Sequence, residues 1–321
     1  MNKIKFDITT QIGNFEISSA AEFADGINYI WGRSGNGKTT ILNSLAGFIP
    51  IKNGEIKLND KVLYSTDKKI NLSPEEREIS YIQQTDKLFQ NFTVLENIQF
   101  GYKFLKQNEK KITPNECLSL FKLNELSHMY PHNLSGGQKQ KVSLARAMAR
   151  NGKVLLLDEP INSLDLFSRK EILYILKKSA KDLNLCILFV THFLDDIFES
   201  SNNILLVDKG LAKKKVLKEN ILKHWENDDE FLNQIESDGE FDRKFFSSLS
   251  VILSKKNFSD MNSGFYFTGQ VENIYKSEKM SLIKVFSNKD YYISIDNNLL
   301  DSLNLTLKSE VNCFVYRNLI S

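Results

Sequence analysis

Ile30-Trp31-Gly32-Arg33-Ser34-Gly35-Asn36-Gly37-Lys38-Thr39-Thr40 is the stretch from which the rest of the chain can be read. It follows the pattern G-x-x-x-x-G-K-[ST], with an apolar run before it (Ile27, Tyr29, Ile30) and a helix-like run after it (Ile41, Leu42, Leu45, Ala46). That is the strand, loop and helix context of a phosphate loop. Gly32 permits the turn off the strand, and Gly35 and Gly37 let backbone N–H groups approach phosphate oxygens with no side chain in the way. Those N–H groups lie at the start of a helix, whose positive end attracts anions. Lys38 is then within reach of β- and γ-phosphates, and the Thr39 hydroxyl is placed to coordinate Mg²⁺. The motif alone predicts an α/β phosphate-binding fold.

The chain has 321 residues, enough for a large α/β core and a second, smaller domain. Lys and Arg (42) nearly balance Asp and Glu (40), so charge points to no polyanion surface and nucleic acid is not an expected partner. Cys117, Cys186 and Cys313 are far apart and form no metal pattern, as expected of thiols in a reducing compartment. The N-terminus lacks the apolar core of a signal peptide, and no apolar run approaches the about 18 residues of a membrane span. A soluble, cytoplasmic protein is expected, held at a membrane only by a partner.

Several short strands are expected over residues 1–31, one of them Ile12-Gly13-Asn14-Phe15-Glu16-Ile17. Phe15 is suited to stack under an adenine ring, or to be a half-buried strand residue; alternation leaves both open. A helix over Thr40 to Phe48 is followed by a hairpin about Asn59-Asp60. The strand Ile79-Ser80-Tyr81-Ile82 ends in Gln83-Gln84, and a Gln at the carboxyl end of a strand in an open α/β sheet lies where ligands bind. Residues 85–133 are helix-rich and read as an insertion. It ends at Leu134-Ser135-Gly136-Gly137-Gln138, a small-residue turn opening a helix and so a second anion site.

Val154-Leu155-Leu156-Leu157-Asp158-Glu159-Pro160 reads as a strand buried on both faces with two carboxylates at its end. Burial of those acids calls for a nearby cation. Asp158 is suited to share Mg²⁺ with Thr39, and Glu159 to orient or deprotonate a water. Asn162-Ser163-Leu164-Asp165 is a polar turn before a helix. Cys186-Ile187-Leu188-Phe189-Val190 is a further buried strand that places Thr191-His192 at its ligand-facing end.

Assembled, these residues resemble the nucleotide-binding subunits of ABC transporters. The motifs cover residues 1 to about 225 in order: Walker A at Gly32 to Thr39, the Q-loop at Gln84, LSGGQ at Leu134 to Gln138, Walker B at Val154 to Asp158 with Glu159, the D-loop at Ser163-Leu164-Asp165 and the H-loop at His192. The resemblance implies a P-loop ATPase with a helical subdomain at about 85–150. It binds ATP through Phe15, Gly32, Arg33, Ser34, Gly35, Asn36, Gly37, Lys38, Thr39 and Thr40, with Ser135, Gly136, Gly137 and Gln138 facing the γ-phosphate held by a second copy. It further implies Thr39, Gln84 and Asp158 around Mg²⁺, and Glu159, His192 and Gln84 as the catalytic set. A homodimer closed by ATP would then work on integral-membrane permease subunits at the cytoplasmic face, and indirectly with a substrate-binding protein. Leu88, Phe89 and Phe92 to Asn97 belong either to the permease-gripping surface or to the subdomain core. The short N-terminal stretch, the Gly-Arg-Ser-Gly loop, Leu72 to Arg77 and the single C-terminal domain look most like the ATPase of molybdate importers, although sulfate and iron(III) importers share much of this pattern.

Residues 226–263, acidic at the start, read as a linker. Beyond Gly264, strand signals at 265–271, 281–286, 291–295 and 311–316, with a helical piece near Asn298 to Leu303, fit a small OB-like β-barrel over 264–321. It resembles the oxyanion-binding domain appended to such ATPases. Members of that group usually carry an Arg-Asn pair where Gly264 and Phe265 stand here, so the best anion donors are absent and a structural or dimer-stabilising role is expected.

Overall fold

The computed structural model describes residues 2–32, 35–84, 88–161, 164, 166–191, 203–216, 243–246, 251–254, 264–276, 280–287 and 290–316. Two compact units divide the chain, Met1–Val216 and Leu217–Ser321.

The first unit begins β1 (Lys3–Ile12), β2 (Phe15–Ala24), β3 (Gly26–Trp31), α1 (Lys38–Ala46), β4 (Asn53–Leu58), β5 (Lys61–Ser65), β6 (Ile70–Asn71) and β7 (Ile79–Ile82). It continues α2 (Val94–Tyr102), α3 (Pro114–Leu120), α4 (Gly136–Ala149), β8 (Val154–Asp158), α5 (Leu166–Asp182), β9 (Cys186–Val190), β10 (Ile204–Asp208) and β11 (Leu211–Val216). The strands form one sheet in the order β6-β5-β4-β1-β2-β11-β10-β3-β9-β8-β7. Five of them, β10-β3-β9-β8-β7, run parallel. All five residues of β8 and of β9 are buried, as their unbroken apolar sequences require of strands covered on both faces. Parallel direction brings the carboxyl ends of β3, β7, β8 and β9 to one edge of the sheet, where open α/β sheets bind ligands. Ile41, Leu42 and Leu45 of α1 join Ile30, Leu156 and Leu188 of the sheet in one buried cluster.

The remaining strands form a wing whose pairings are antiparallel except for that of β2 with β11, which is parallel. In place of several short strands, β1 and β2 are two ten-residue strands paired along their whole length. Gly13-Asn14, expected within a strand, is the two-residue turn between them, because Gly13 supplies the positive φ (57°) such a turn needs. The hairpin about Asn59-Asp60 is in place.

Three helices form the insertion, and α2, α3 and α4 pack on one another. Each opens with a reciprocal cap: Thr93 with Glu96, Thr113 with Glu116, Ser135 with Gln138. Asn97, fully buried, shapes the preceding loop by accepting from the Phe89 amide and donating to the carbonyls of Phe89, Phe92 and Thr93. Lys122 and Lys141 both pair with Glu171 of α5, tying the insertion to the core.

The second unit contains β12 (Arg243–Phe246), β13 (Val251–Ser254), β14 (Gly264–Lys276), β15 (Met280–Phe286), β16 (Asp290–Asp296), α6 (Asn297–Ser302) and β17 (Glu310–Tyr316). Its sheet has the order β12-β16-β15-β14-β17-β13. β14 pairs with β17 through its first half and with β15 through its second, with a bulge between Val271 and Asn273, so one bent strand joins two parts of a barrel-like sheet. At that bend no side chain fits on Gly269, since a Cβ would lie 2.6 Å from both the Phe286 carbonyl oxygen and Val285. The span expected as linker, 226–263, needs correction: β12 and β13 lie inside it, because apolar Phe245-Phe246 and Val251-Ile252-Leu253 can pair with β16 and β17. The acidic part of that span lies outside the described residues.

Candidate nucleotide site

α1 begins without a side-chain cap, unlike α2, α3 and α4, and has no acid in its first turn. Its N-cap is Gly37 at φ 98°, in the left-handed region, and a Cβ there would meet Ile17 at 2.6 Å. No side chain thus caps the first amides of the helix, an end that suits an anion. Gly32 is needed for close approach: a Cβ would lie 2.0 Å from the Val207 carbonyl oxygen of β10. Asn36 directs its side-chain amide at the same strand, to the Val207 carbonyl and the Asp208 carboxylate, which pins the loop while its own backbone amide stays available.

Lys38 is buried and donates to the Gly32 carbonyl at 2.7 Å across the loop. Burial pulls its ammonium down to about 8, against the raising influence of Glu159 and then Asp158. Phosphate oxygens at this loop would restore the charged form. Metal-free ATP binding, measured in EDTA, is therefore expected to take up close to one proton at pH 9 and almost none at pH 7, with affinity falling as pH rises above about 8. Calorimetric titration in buffers of different ionisation heat checks this, and a buffer-independent heat at pH 9 would refute it.

Asp158 ends β8 at 1% exposure, and Glu159 follows at φ 51°, a left-handed conformation uncommon for a non-glycine residue. The Glu159 amide donates to the Val190 carbonyl of β9, so the kink is held by the neighbouring strand. The Gln84 amide donates to Glu159 Oε2 at 3.1 Å, which unites the ends of β7 and β8. Thr39 and Thr40 follow Lys38 in α1. Ser135 caps α4, accepting from the Gln138 amide while its own amide donates to Gln138 Oε1; Gly136, the first residue of that helix, faces open space. α4 packs on α2, α3 and β7, while α1 packs on β8, β2 and β7. Phe15 is 40% exposed, with the tip of its ring beside Gly210. Arg33, Ser34, Ser163, Asp165 and His192 lie outside the described residues.

Two residues of this region escape sequence reading. Arg77 sits under the C-terminal end of α1, and Tyr81 lies against Asp158. Their types carry no pattern of their own. Only the register of β7 on β8, Tyr81 opposite Leu156, sets Tyr81 on the face that also bears Asp158.

A glycine-lined loop running from a buried parallel strand into an uncapped helix, with carboxylates at the end of the strand next but one in the sheet, is the architecture of a P-loop ATP-binding cassette. A family model described as "ABC transporter" matches residues 23–162. That span, inside the first unit, is a domain of that family. A molybdenum import ATP-binding protein, ModC, of Pectobacterium atrosepticum is 36% identical over 220 residues, 68% of this chain and 61% of that protein. The chain thus spans about three-fifths of the length of that relative. The ModC of Haemophilus ducreyi is 28% identical over 324 residues, 98% of this chain and 88% of that protein. A structure described as a dimeric bacterial ABC transporter cassette is similar at 25% identity with a TM-score of 0.57, over 67% of this chain and 98% of that one. A dimeric post-hydrolysis cassette bound to ADP and Pi has a TM-score of 0.56 at 24% identity, a likeness of fold.

Proposed function

We propose that the chain is the ATP-binding and ATP-hydrolysing subunit of an ABC importer for a small anion, molybdate being favoured. The observation that carries this reading is the meeting of the Gly32–Thr39 loop and its buried Lys38 with Asp158 and the Gln84–Glu159 pair at one edge of the sheet. Lys38 and the α1 amides hold the β- and γ-phosphates, Phe15 stacks on the base, and Arg33 and Ser34 complete the loop. Glu159 accepts the proton of the attacking water, which its Gln84 partner helps orient, and His192 contacts the γ-phosphate.

A divalent cation fits the donor set. Thr39 offers a hydroxyl and Asp158 a carboxylate, both hard oxygen donors. Among the described residues no three His, Cys, Asp or Glu gather into an all-protein cage. That favours Mg²⁺ held jointly by Thr39, Asp158 and the nucleotide's own phosphates, with Gln84 close by; when bound it neutralises charge on the phosphoryl group in transfer.

The open face of Gly136 and the capped turn at Ser135 to Gln138 suit the γ-phosphate bound to a second copy, so the working unit is a homodimer with two shared ATP sites. Among the described residues no helix is long and apolar enough to cross a membrane. In this reading, coupling to transport goes through permease subunits at the cytoplasmic face. For these a chain of rings is available five residues beyond Gln84: Phe89, Phe92, Phe100 and Phe104, with Phe89 41% and Phe104 78% exposed. Leu88, Val94, Asn97 and Ile98 are buried and serve the subdomain core instead. The second unit, with Gly264 and Phe265 at the start of β14, is assigned a structural or dimer-stabilising role.

Molybdate is favoured by the names of the relatives; an importer of sulfate, iron(III) or another small ligand is the alternative. Radiolabelled molybdate uptake by cells carrying the gene intact or as Lys38→Ala tests the reading. Uptake is expected to be lost in the variant while sulfate uptake is unchanged. Loss of sulfate uptake alone would reassign the cargo, and loss of neither would remove the transport role.

A further inference from the structure

The search for groups that the proposed chemistry leaves without a task leads to Tyr81. It lies on the edge strand β7 opposite Leu156, two residues before Asp158, so its side chain and that carboxylate share the face of the sheet on which α1 packs. Its ring is stacked with Phe48, 6.0 Å away at 27°, which restrains the phenol. Its hydroxyl is buried yet engaged in no hydrogen bond with suitable geometry in this structure. A buried phenol without a partner costs about 1–3 kcal/mol, and such hydroxyls normally find an acceptor. The acceptor at hand is Asp158, whose charge, after burial itself, pushes the phenol above its ordinary range. Lys38, from α1, is a charged group that also faces Asp158.

The geometry points to Tyr81 as a positioning residue for Asp158: with nucleotide and metal in place its O–H donates to the carboxylate, fixing the orientation in which the remaining oxygen faces the metal. This rests on the reading of Asp158 as a metal ligand. It gives β7, the strand that leads directly into Gln84, a share in aligning the metal site. A short, charge-assisted O–H···O⁻ bond inside the sheet edge would hold that carboxylate in one orientation.

The test compares wild type, Tyr81→Phe and Asp158→Asn in the full chain, with Mn²⁺ as the metal probe and ATP present, bound Mn²⁺ being read by electron paramagnetic resonance. Tyr81→Phe keeps the ring on Phe48 and removes only the hydroxyl. It is expected to weaken Mn²⁺ binding by about tenfold. It should also raise the Mg²⁺ concentration for half-maximal hydrolysis to a similar extent, leaving ATP affinity in EDTA and kcat at saturating Mg²⁺ unchanged. Wild-type Mn²⁺ affinity in Tyr81→Phe, alongside loss in Asp158→Asn, overturns the role of Tyr81 alone. Wild-type Mn²⁺ affinity in Asp158→Asn overturns the metal-ligand reading and this inference with it.

Discussion

Glu159→Gln is expected to lower ATP turnover by about 10²–10⁴-fold while nucleotide binding survives. The substitution changes chemistry and almost nothing else. The new side chain has the same length, and its carbonyl oxygen can still accept from Gln84 Nε2, now 3.1 Å from Glu159. The left-handed backbone at φ 51° and the Glu159 amide bond to the Val190 carbonyl are unaffected by an amide in place of a carboxylate. What is lost is a base able to take a proton from water, equivalent to roughly 3–5 kcal/mol of barrier. Because ATP is the contact between two copies in the proposed cycle, the variant should accumulate as an ATP-bound dimer, seen by sedimentation with ATP and lost with ADP. Phosphate release in single-turnover conditions measures the chemical step. Turnover near that of the wild type would remove Glu159 from its role.

Arg77→Ala is expected to cost roughly 3–4 kcal/mol of folding stability, at the upper end for a single substitution. Arg77 is 1% exposed, and its guanidinium donates to four oxygens: the Ser44 and Leu45 carbonyls at the end of α1, the Leu72 carbonyl and Asn71 Oδ1. Burial lowers its pKa, but the group stays charged at every ordinary pH, and its cation sits at the negative end of the helix that carries Lys38 at its other end. Removing it takes one donor from each of those oxygens and leaves a void beneath α1. The fit is mutual, for a Cβ on Gly47 would lie 2.7 Å from Arg77 Nε. Urea unfolding monitored by circular dichroism gives the loss, and Arg77→Lys should recover only part of it, since one ammonium cannot span four acceptors. An unchanged unfolding midpoint in Arg77→Ala would show that α1 is anchored elsewhere.

Much of the first unit was legible residue by residue. Val154 to Asp158 and Cys186 to Val190 announce themselves because strands buried on both faces have no polar positions to interrupt the run. The second unit's strands from β14 onward were legible for a similar reason, their alternation being strong. β12 and β13 were not: four-residue strands at the edges of a sheet carry too few positions for a pattern, and only pairing with β16 and β17 makes them strands. The Gly13-Asn14 turn was missed because its flanks alternate continuously, which suits one strand as well as two.

The nucleotide loop belongs to the residues themselves. Gly35, Lys38 and Thr39 are specified by local sterics and charge, which operate over a few residues, while Gly32 and Gly37 are also required by their close approach to Val207 and Ile17. The pairing of Gln84 with Glu159, the neighbourhood of Lys38 to both carboxylates, and the placing of Tyr81 against Asp158 are decided by the tertiary structure. Gln84 and Glu159 are separated by 75 residues along the chain, and the register of parallel strands brings these groups to one edge. Register depends on the packing of both faces of the sheet, and no short stretch of sequence contains it.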